Sequence, residues 1–243
     1  MSLADAVATW IASSVRDAGL SGAVVGLSGG IDSAVVSGLC ARGLGEKNVL
    51  GLIMPAHSMP EDAEHAELAA RTWGIDYRII ELSEVYDRFI DLLPRGSTLA
   101  NANLKPRLRM ITLYHHANTL NRMVVGTGNR SELMVGYFTK YGDAGVDLLP
   151  LAGLYKHQVR DIAREIGVPE PIIARPPSAG LWEGQTDEAE MGISYADLDR
   201  ILDAIDRGQH VDVHPDLWNR VERMLKGSEH KRQLPPIFTP PGA

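Results

Sequence analysis

The chain has 243 residues, of which 44% are hydrophobic and 23% are charged. This size fits one large α/β domain and is too small for two well-separated enzyme domains, and the composition excludes a disordered or fibrous chain. The formal net charge of −7 argues against nucleic acid as the main partner, because binding to duplex depends on basic surface. We therefore expect residues 1–243 to form a single domain.

The chain contains one cysteine, Cys40, which excludes an intrachain disulfide framework and a cysteine-rich metal site. Asp5 and Arg16 interrupt the apolar character of the N-terminus, and no apolar run approaches the roughly 20 residues that a membrane helix needs. These features predict a cytoplasmic protein without a membrane partner.

Strands and helices are predicted to alternate up to Pro150. Apolar residues at helical spacing indicate a first helix, and a buried run after it leads through a glycine-rich turn into a second helix. Such alternation indicates βαβ units, so we predict an α/β fold with a five-stranded parallel sheet and helices on both faces. The predicted strands lie near 23–27, 48–54, 76–80, 123–126 and 147–149, and the predicted helices span 3–18, 33–42, 61–73, 84–93 and 101–121.

The pattern changes after Pro150. A helix is predicted over 156–166, and a long polar stretch rich in glycine and proline follows over 175–186. Long loops of this kind are typical of lids or binding loops. Two short helices are then predicted over 195–206 and 215–226.

The turn after the first predicted strand, residues 28–33, has the chemistry of a phosphate-binding loop. Its glycines permit positive φ and let backbone N–H groups approach an anion, and the following helix N-terminus adds donors and partial positive charge. Asp32 would repel a phosphate, and a bound Mg²⁺ between them resolves that conflict. A plain turn with Ser33 as helix N-cap is the alternative interpretation of a lone glycine pair.

The sequence SGGIDS of this turn resembles the pyrophosphate loop of the N-type ATP pyrophosphatases, whose pattern is SGGxDS. The resemblance implies an adenine nucleotide alpha hydrolase-like, Rossmann-like fold and cleavage of ATP at the α-phosphate. It implies ATP contacts from Gly26, Leu27, Ser28, Gly29, Gly30, Ile31, Asp32 and Ser33.

Six later segments resemble the NAD synthetase family and follow its order, so that the resemblance covers nearly the whole chain. It implies that ATP adenylates the nicotinate carboxylate of deamido-NAD and that ammonia then forms the amide, giving NAD, AMP and pyrophosphate. Mg²⁺ is the implied cofactor, and deamido-NAD, ATP and ammonia are the implied partners. The segments are 105–110, 126–132, 136–143, 176–182, 185–188 and 229–232.

The same resemblance implies the roles of individual residues. Asp32 and Glu132 are the implied Mg²⁺ ligands, although Glu132 could also be a solvated residue in the first turn of a helix. Asp143 is our candidate for the base that deprotonates ammonium, and a loop-capping aspartate is the alternative. Further ATP contacts are implied for Thr127, Lys156 and Ser178, and deamido-NAD contacts for Arg107, Lys140, Asp147, His230 and Lys231.

The nitrogen source and the oligomeric state are also implied by the family. Glutamine-dependent relatives carry an added nitrilase-like domain, which we do not expect within residues 1–243, and Cys40 in a predicted helix is better explained as a buried thiol. The family is homodimeric with its substrate site near the interface, and the apolar residues of the predicted helix 101–121 favour that helix as the interface.

Two alternative functions agree less well with the sequence. A tRNA-modifying member of the superfamily would need extra basic surface or a thiol relay, which an acidic chain with one cysteine does not offer. A catalytically silent nucleotide-binding regulator would be expected to lose Asp32 or Glu132, and both are present.

Overall fold

The computed structural model describes residues 1–178, 180 and 184–240. Parts of the predicted loop 175–186 and of the segment 176–182 lie outside the described residues. The strands are β1 (Ala23–Gly26), β2 (Val49–Ile53), β3 (Asp76–Ile79) and β4 (Met123–Val125). The helices are α1 (Leu3–Asp17), α2 (Ile31–Leu44), α3 (Pro60–Trp73), α4 (Ser83–Leu92), α5 (Thr98–Ala102), α6 (Leu104–Leu120), α7 (Arg130–Val135), α8 (Lys156–Ile166), α9 (Glu170–Ala174), α10 (Asp187–Met191), α11 (Tyr195–Asp206) and α12 (Pro215–Arg232).

The strands pair in parallel in the order β3-β2-β1-β4, which confirms the predicted parallel α/β sheet. The prediction of five strands was wrong for the described residues. The segment 147–149 contributes only one parallel bridge, between Leu148 and Val125. The chain leaves a tight turn at Gly145 just before this segment, and Pro150 just after it has no N–H to donate, so the pairing stops there.

Helices cover both faces of the sheet, as predicted. Val25 and Val49 point to one face, where they join a core built with α1, α2, α3 and α8. Val24 and Leu50 point to the other face and pack with apolar residues of α6 and with Tyr86 of α4. Successive side chains of a strand point to opposite faces of the sheet. A strand that is buried on both faces is therefore a continuous apolar run in the sequence.

Two helix predictions need correction. The predicted helix 101–121 is divided into α5 and α6 at Asn103, because Pro106 lacks the N–H that would continue the helical ladder back into α5. The predicted helix 215–226 is longer and continues to Arg232 as α12.

A third apolar cluster lies beyond the sheet layers. It brings Val135 of α7 together with Met191 of α10, Leu198 of α11 and Val221 of α12. This packing fixes the four helices around the side of the sheet that β4 occupies. Within the described residues, the structure contains no helix with the length and apolar character needed to cross a bilayer.

Candidate active site

A cavity of about 660 Å³ opens at the carboxyl ends of three strands. Its walls include residues 26–28 after β1, 53–55 at the end of β2 and 125–127 at the end of β4. Ligands of open parallel α/β sheets bind at this edge, where loops leave the strands. The location agrees with the site predicted from the glycine-rich turn.

The turn itself is held by its own side chains. Ser33 Oγ accepts a hydrogen bond from the Ser28 amide (3.2 Å) and donates to the Gly30 carbonyl (2.9 Å). Gly29 has φ +81°, and a Cβ there would lie 2.3 Å from the carbonyl oxygen of Asp62 in α3. Ser33 and Gly29 therefore shape the loop from outside the cavity lining. The other six predicted loop residues line the cavity: Gly26, Leu27, Ser28, Gly30, Ile31 and Asp32.

We expect Gly29→Ala to lower ATP-dependent turnover by at least about tenfold. A residue with a Cβ pays about 1–3 kcal/mol at such a φ, and the contact with Asp62 would displace the loop. Initial rates at varied ATP would measure the effect. Gly227→Ala is the matched control, because a Cβ at Gly227 of α12 meets nothing within 4 Å. A Gly29→Ala rate within twofold of the wild type would argue against this loop as the nucleotide site.

A buried lysine joins the two carboxylates that were predicted to hold metal. Lys156 is 1% exposed, and its Nζ lies 2.5 Å from Asp32 Oδ2 and 3.1 Å from Glu132 Oε1. Asn129 links the same carboxyl-bearing residues, since its Nδ2 donates to Asp32 Oδ1 (3.0 Å) and its Oδ1 accepts from the Glu132 amide (3.1 Å). Ser131 Oγ accepts from the Lys156 amide (3.0 Å), which anchors the start of α8. The predicted site residues Asp32 on α2, Glu132 on α7 and Lys156 on α8 are thus in direct contact.

The charges in this cluster influence one another. Burial raises the pKa of Glu132 to about 7, while the Lys156 charge opposes that rise. Burial works to lower the pKa of Lys156, but the charges of Asp32 and Glu132 outweigh it and raise that pKa above its ordinary value. Lys156 therefore stays an ammonium and neutralises carboxylate charge inside the protein.

The carboxylate pair fits a metal shared with a phosphate ligand. Mg²⁺ is usually held by one or two carboxylates together with substrate phosphates and waters. Asp32 and Glu132 both line the cavity beside the phosphate loop. Among the described residues, no cluster of three or more His, Cys, Asp or Glu could hold an ion by itself. A metal here would need the phosphates of a nucleotide to complete its ligand shell.

Sequence reasoning did not place two further residues in this site. The Tyr195 hydroxyl lies 2.9 Å from Glu132 Oε1 and 2.9 Å from Asp187 Oδ2. Asp187 is 4% exposed and lines the cavity. Burial raises its pKa, and the hydrogen bond from Tyr195 opposes that rise. The segment 185–188 was a family signature without an assigned role, and no pattern in the sequence singled out Tyr195.

Basic side chains line another part of the cavity. Lys231 Nζ donates to the carbonyl oxygens of Gly136 (2.8 Å) and Phe138 (3.0 Å), and Lys140 Nζ donates to the His230 carbonyl (2.5 Å). These bonds attach the end of α12 to the segment after α7. Four of the five predicted deamido-NAD contacts line the cavity: Arg107, Lys140, His230 and Lys231.

The fifth predicted contact, Asp147, is absent from the cavity lining. Its Oδ1 accepts from the Tyr114 hydroxyl (2.8 Å) and its Oδ2 from the Val124 amide (2.9 Å). Both oxygens thus support β4 and α6, and a contact to substrate stays a prediction for this residue.

Thr127, Ser178 and Asp143 line the cavity as predicted. Asp143 Oδ1 accepts from the Thr139 amide (2.8 Å), so one of its oxygens caps the loop. Asp143 is solvent-exposed as a residue, but the groups around its carboxyl at the cavity wall partly desolvate it and raise its pKa, which that hydrogen bond opposes.

Arg109 belongs to the family segment 105–110, but the sequence assigned it no role. Its Nε donates to the Met54 carbonyl (3.0 Å) and its Nη2 to Ser58 Oγ (3.2 Å), and its side chain lines the cavity. Burial lowers its pKa, with Asp62 and Asp143 as the charges that oppose the shift. Arg175 Nη2 lies 2.5 Å from Asp62 Oδ1.

The NAD synthase family model matches residues 3–235. A relative from Archaeoglobus fulgidus, named an NH(3)-dependent NAD(+) synthetase, is 52% identical over 225 residues, which cover 92% of this chain and 90% of that protein. A relative of the same name from Finegoldia magna is 46% identical over 237 residues, 97% of this chain and 95% of that protein.

Two solved structures are similar over almost the whole chain. The NMN synthetase of Francisella tularensis has a TM-score of 0.90 and 36% identity, covering 98% of this chain and 97% of its own. The NH3-dependent NAD synthetase of Campylobacter jejuni has a TM-score of 0.83 and 29% identity, with the same coverage. With a family match over nearly the whole sequence and relatives of this identity, the chain belongs to the NAD synthase family.

Proposed function

We propose that this chain makes NAD from deamido-NAD, ATP and ammonia. Membership in the family and the names of the curated relatives support an ATP-dependent amidation in NAD biosynthesis. The single structural observation that carries the proposal is the contact of Lys156 with Asp32 and Glu132 beside the phosphate loop. This arrangement places the Lys156 ammonium and two carboxylates that could bind a metal ion where the phosphates of a nucleotide would lie.

The first half of the reaction joins the nicotinate carboxylate to AMP. A carboxylate oxygen attacks the α-phosphorus in line, the bond to the β-phosphate oxygen breaks, and pyrophosphate leaves. Such chemistry depends on positioning and charge neutralisation rather than on a protein nucleophile. The loop amides at residues 28–33 and the Lys156 ammonium supply donors, and Thr127 and Ser178 are proposed to orient ATP.

Asp32 and Glu132 are proposed to hold Mg²⁺ together with the ATP phosphates. When bound, Mg²⁺ neutralises phosphate charge and orients the leaving pyrophosphate. Lys156 neutralises the same two carboxylates in the structure. Once the carboxylates bind Mg²⁺ instead, the Lys156 charge becomes available to the phosphate oxygens.

The second half transfers nitrogen. Ammonia attacks the activated carbonyl carbon, a proton leaves the nitrogen, and AMP departs with the former carboxylate oxygen. Asp143 is proposed to accept that proton, since the residue lines the cavity and only its Oδ1 accepts from the Thr139 amide. Arg107, Lys140, Asp147, His230 and Lys231 are proposed to bind deamido-NAD.

The experiment that tests the proposal compares two acids as substrates. The purified protein should amidate deamido-NAD with ATP, Mg²⁺ and ammonium chloride, with product identified by chromatography. The similar Francisella tularensis structure is an NMN synthetase, so the mononucleotide acid that would yield NMN belongs in the same assay. A higher kcat/KM for deamido-NAD is expected, and a strong preference for the mononucleotide would reassign the substrate.

Cys40→Ala should leave ammonia-supported activity within about twofold of the wild type, because the thiol is fully buried in the core beneath the sheet. Burial raises the pKa of Cys40 to about 12, which keeps the thiol a poor nucleophile. Glutamine should support little synthesis. Glutamine-supported synthesis at the ammonia rate, abolished in Cys40→Ala, would contradict an ammonia-only enzyme.

We propose a homodimer that uses the neighbouring helices α4 and α6. Phe89 of α4 is 43% exposed and Ile111 of α6 is 58% exposed, and Val85, Leu92 and Leu99 are other exposed apolar residues of this region. Sedimentation should give twice the 26.4 kDa of one chain. Phe89→Glu combined with Ile111→Glu should shift the mass to that of a monomer. Ile237→Glu, at an 88% exposed tail residue, is the control and should leave the dimer intact.

A further inference from the structure

We infer that Asp187 binds the ammonium ion that supplies the amide nitrogen. This inference rests on the proposed amidation and assigns its nitrogen substrate a place in the cavity. Asp187 begins α10 and is buried at the cavity wall, close to the Lys156 cluster through Tyr195. The assignment differs from the role proposed for Asp143, which acts in proton transfer.

Asp187 Oδ1 is a buried acceptor that lacks a donor. It has no hydrogen-bond partner among the described residues, although the carboxylate is 4% exposed. The Tyr137 hydroxyl lies close enough to Asp187 to oppose the rise of its pKa, but its one hydrogen is donated to Glu190 Oε2 (2.8 Å). A buried carboxylate oxygen without a donor is costly, and such atoms in native proteins are satisfied by an ordered water, an ion or a ligand.

The other Asp187 oxygen depends on a shared donor. The Tyr195 hydroxyl carries one hydrogen but lies 2.9 Å from both Asp187 Oδ2 and Glu132 Oε1. It can donate fully to one carboxylate at a time, so the pair is one donor short. A further N–H donor at Asp187 would free the Tyr195 hydrogen for Glu132.

The charges of the cluster leave Asp187 without a cation of its own. Among the described residues, Lys156 forms ion pairs with Asp32 and Glu132, and the proposed Mg²⁺ would serve the same two carboxylates. The Lys156 charge works to lower the pKa of Asp187 from a longer distance, but the two residues form no ion pair. Buried charges are stable when they are paired, so Asp187 favours a cation beside it.

Ammonium matches both deficits. It carries one positive charge and four N–H donors, and it is the dominant form of the nitrogen substrate at neutral pH. Mg²⁺ offers no N–H donor and demands near-octahedral oxygen ligands, whereas Oδ1 of Asp187 presents a single unpaired oxygen. The nitrogen substrate must enter this cavity if the amide forms there, which makes ammonium the cation of choice.

The kinetic test separates binding of ammonium from the earlier chemistry. Asp187→Asn should raise the KM for ammonium about tenfold or more, because a charged hydrogen bond is lost, while kcat at saturating ammonium changes little. The KM values for ATP and deamido-NAD should stay near those of the wild type. Pyrophosphate release that depends on deamido-NAD, measured without ammonium, should be unchanged.

Two matched variants control this experiment. Glu188 is the next residue along the chain and lies outside the cavity lining. Glu188→Gln removes its charge but keeps the side-chain oxygen that accepts from the Tyr195 amide (2.8 Å). It should leave the ammonium KM unchanged. Asp143→Asn should lower kcat instead. A raised ammonium KM in Asp143→Asn with none in Asp187→Asn would overturn the inference.

A thermal shift of the wild-type protein tests binding directly, without relying on a variant that folds. Ammonium chloride should raise Tm saturably over sodium chloride at equal ionic strength, and Asp187→Asn should lose the difference. Equal Tm values in ammonium chloride and sodium chloride would overturn the assignment. A Tm that rises with magnesium chloride but not with ammonium chloride would also overturn it. A wild type that releases no pyrophosphate with deamido-NAD would instead refute the proposed function, so the two failures are distinguishable.

Discussion

Replacing Lys156 by methionine is expected to destabilise the protein by about 3–5 kcal/mol and to lower NAD formation by about 10²–10³-fold. The side chain is 1% exposed and holds Asp32 and Glu132 at hydrogen-bonding distance. Its removal leaves two partly buried carboxylates without their cation, which costs more than the lost attraction alone. The rate falls because the same ammonium is proposed to neutralise phosphate charge.

The measurement is a thermal melt beside an activity assay. For a chain of this size, the loss corresponds to a decrease in Tm of roughly 6–20 °C. Lys47→Met is the matched control, because Lys47 is an exposed lysine outside the cavity lining, and both its Tm and its rate should match the wild type. A Lys156→Met protein that melts with the wild type and keeps its rate would disprove the role given to this cluster.

Asp32→Asn and Glu132→Gln are each expected to reduce turnover by about 10²–10³-fold at ordinary Mg²⁺, because each removes one proposed metal ligand beside the phosphates. Partial recovery at high Mg²⁺ is expected, since the amide oxygen is a weaker ligand in the same position. Rates measured across a Mg²⁺ titration would show both effects.

The control for these variants is Asp161→Asn. Asp161 lies on α8, the helix that Lys156 begins, and its exposed carboxylate pairs with Arg164 at 3.2 Å. Its neutralisation removes a negative charge near the site without touching the cavity, so turnover should not change. Near wild-type turnover of Asp32→Asn or Glu132→Gln at ordinary Mg²⁺ would rule out the metal assignment.

The fold could be predicted where local chemistry decides it. β1, β2 and β4 are apolar on both faces, and their observed ends lie within two residues of the predicted ones. The parallel order brings Asp32 after β1 and Glu132 after β4 to the same sheet edge. Residues that follow neighbouring parallel strands meet there, so their contact with the nucleotide site was predictable from strand order alone.

The remaining features depend on tertiary packing. The segment at Leu148 has strand-like residues, but the turn before it and Pro150 after it restrict it to one bridge. Asp187 and Tyr195 reach Glu132 only because α10 and α11 pack against α7 in the third cluster. A polar residue on a short helix looks like a surface residue until its packing partners are known.

Asp147 has a structural role that the sequence did not reveal. The family resemblance implies a contact to deamido-NAD for this residue, which stays a prediction. In the structure both carboxylate oxygens accept hydrogen bonds, from Tyr114 and from the Val124 amide. The backbone amide of Val124 would otherwise lack this partner, and no sequence pattern reveals that need.

The most direct test of the central claim is the release of pyrophosphate from ATP by the purified protein. It should require deamido-NAD, and with ammonium present one pyrophosphate and one AMP should appear for each NAD formed. These products follow from cleavage at the α-phosphate beside residues 28–33 and Lys156. Release of ADP and phosphate, or pyrophosphate release that is indifferent to deamido-NAD, would contradict the account.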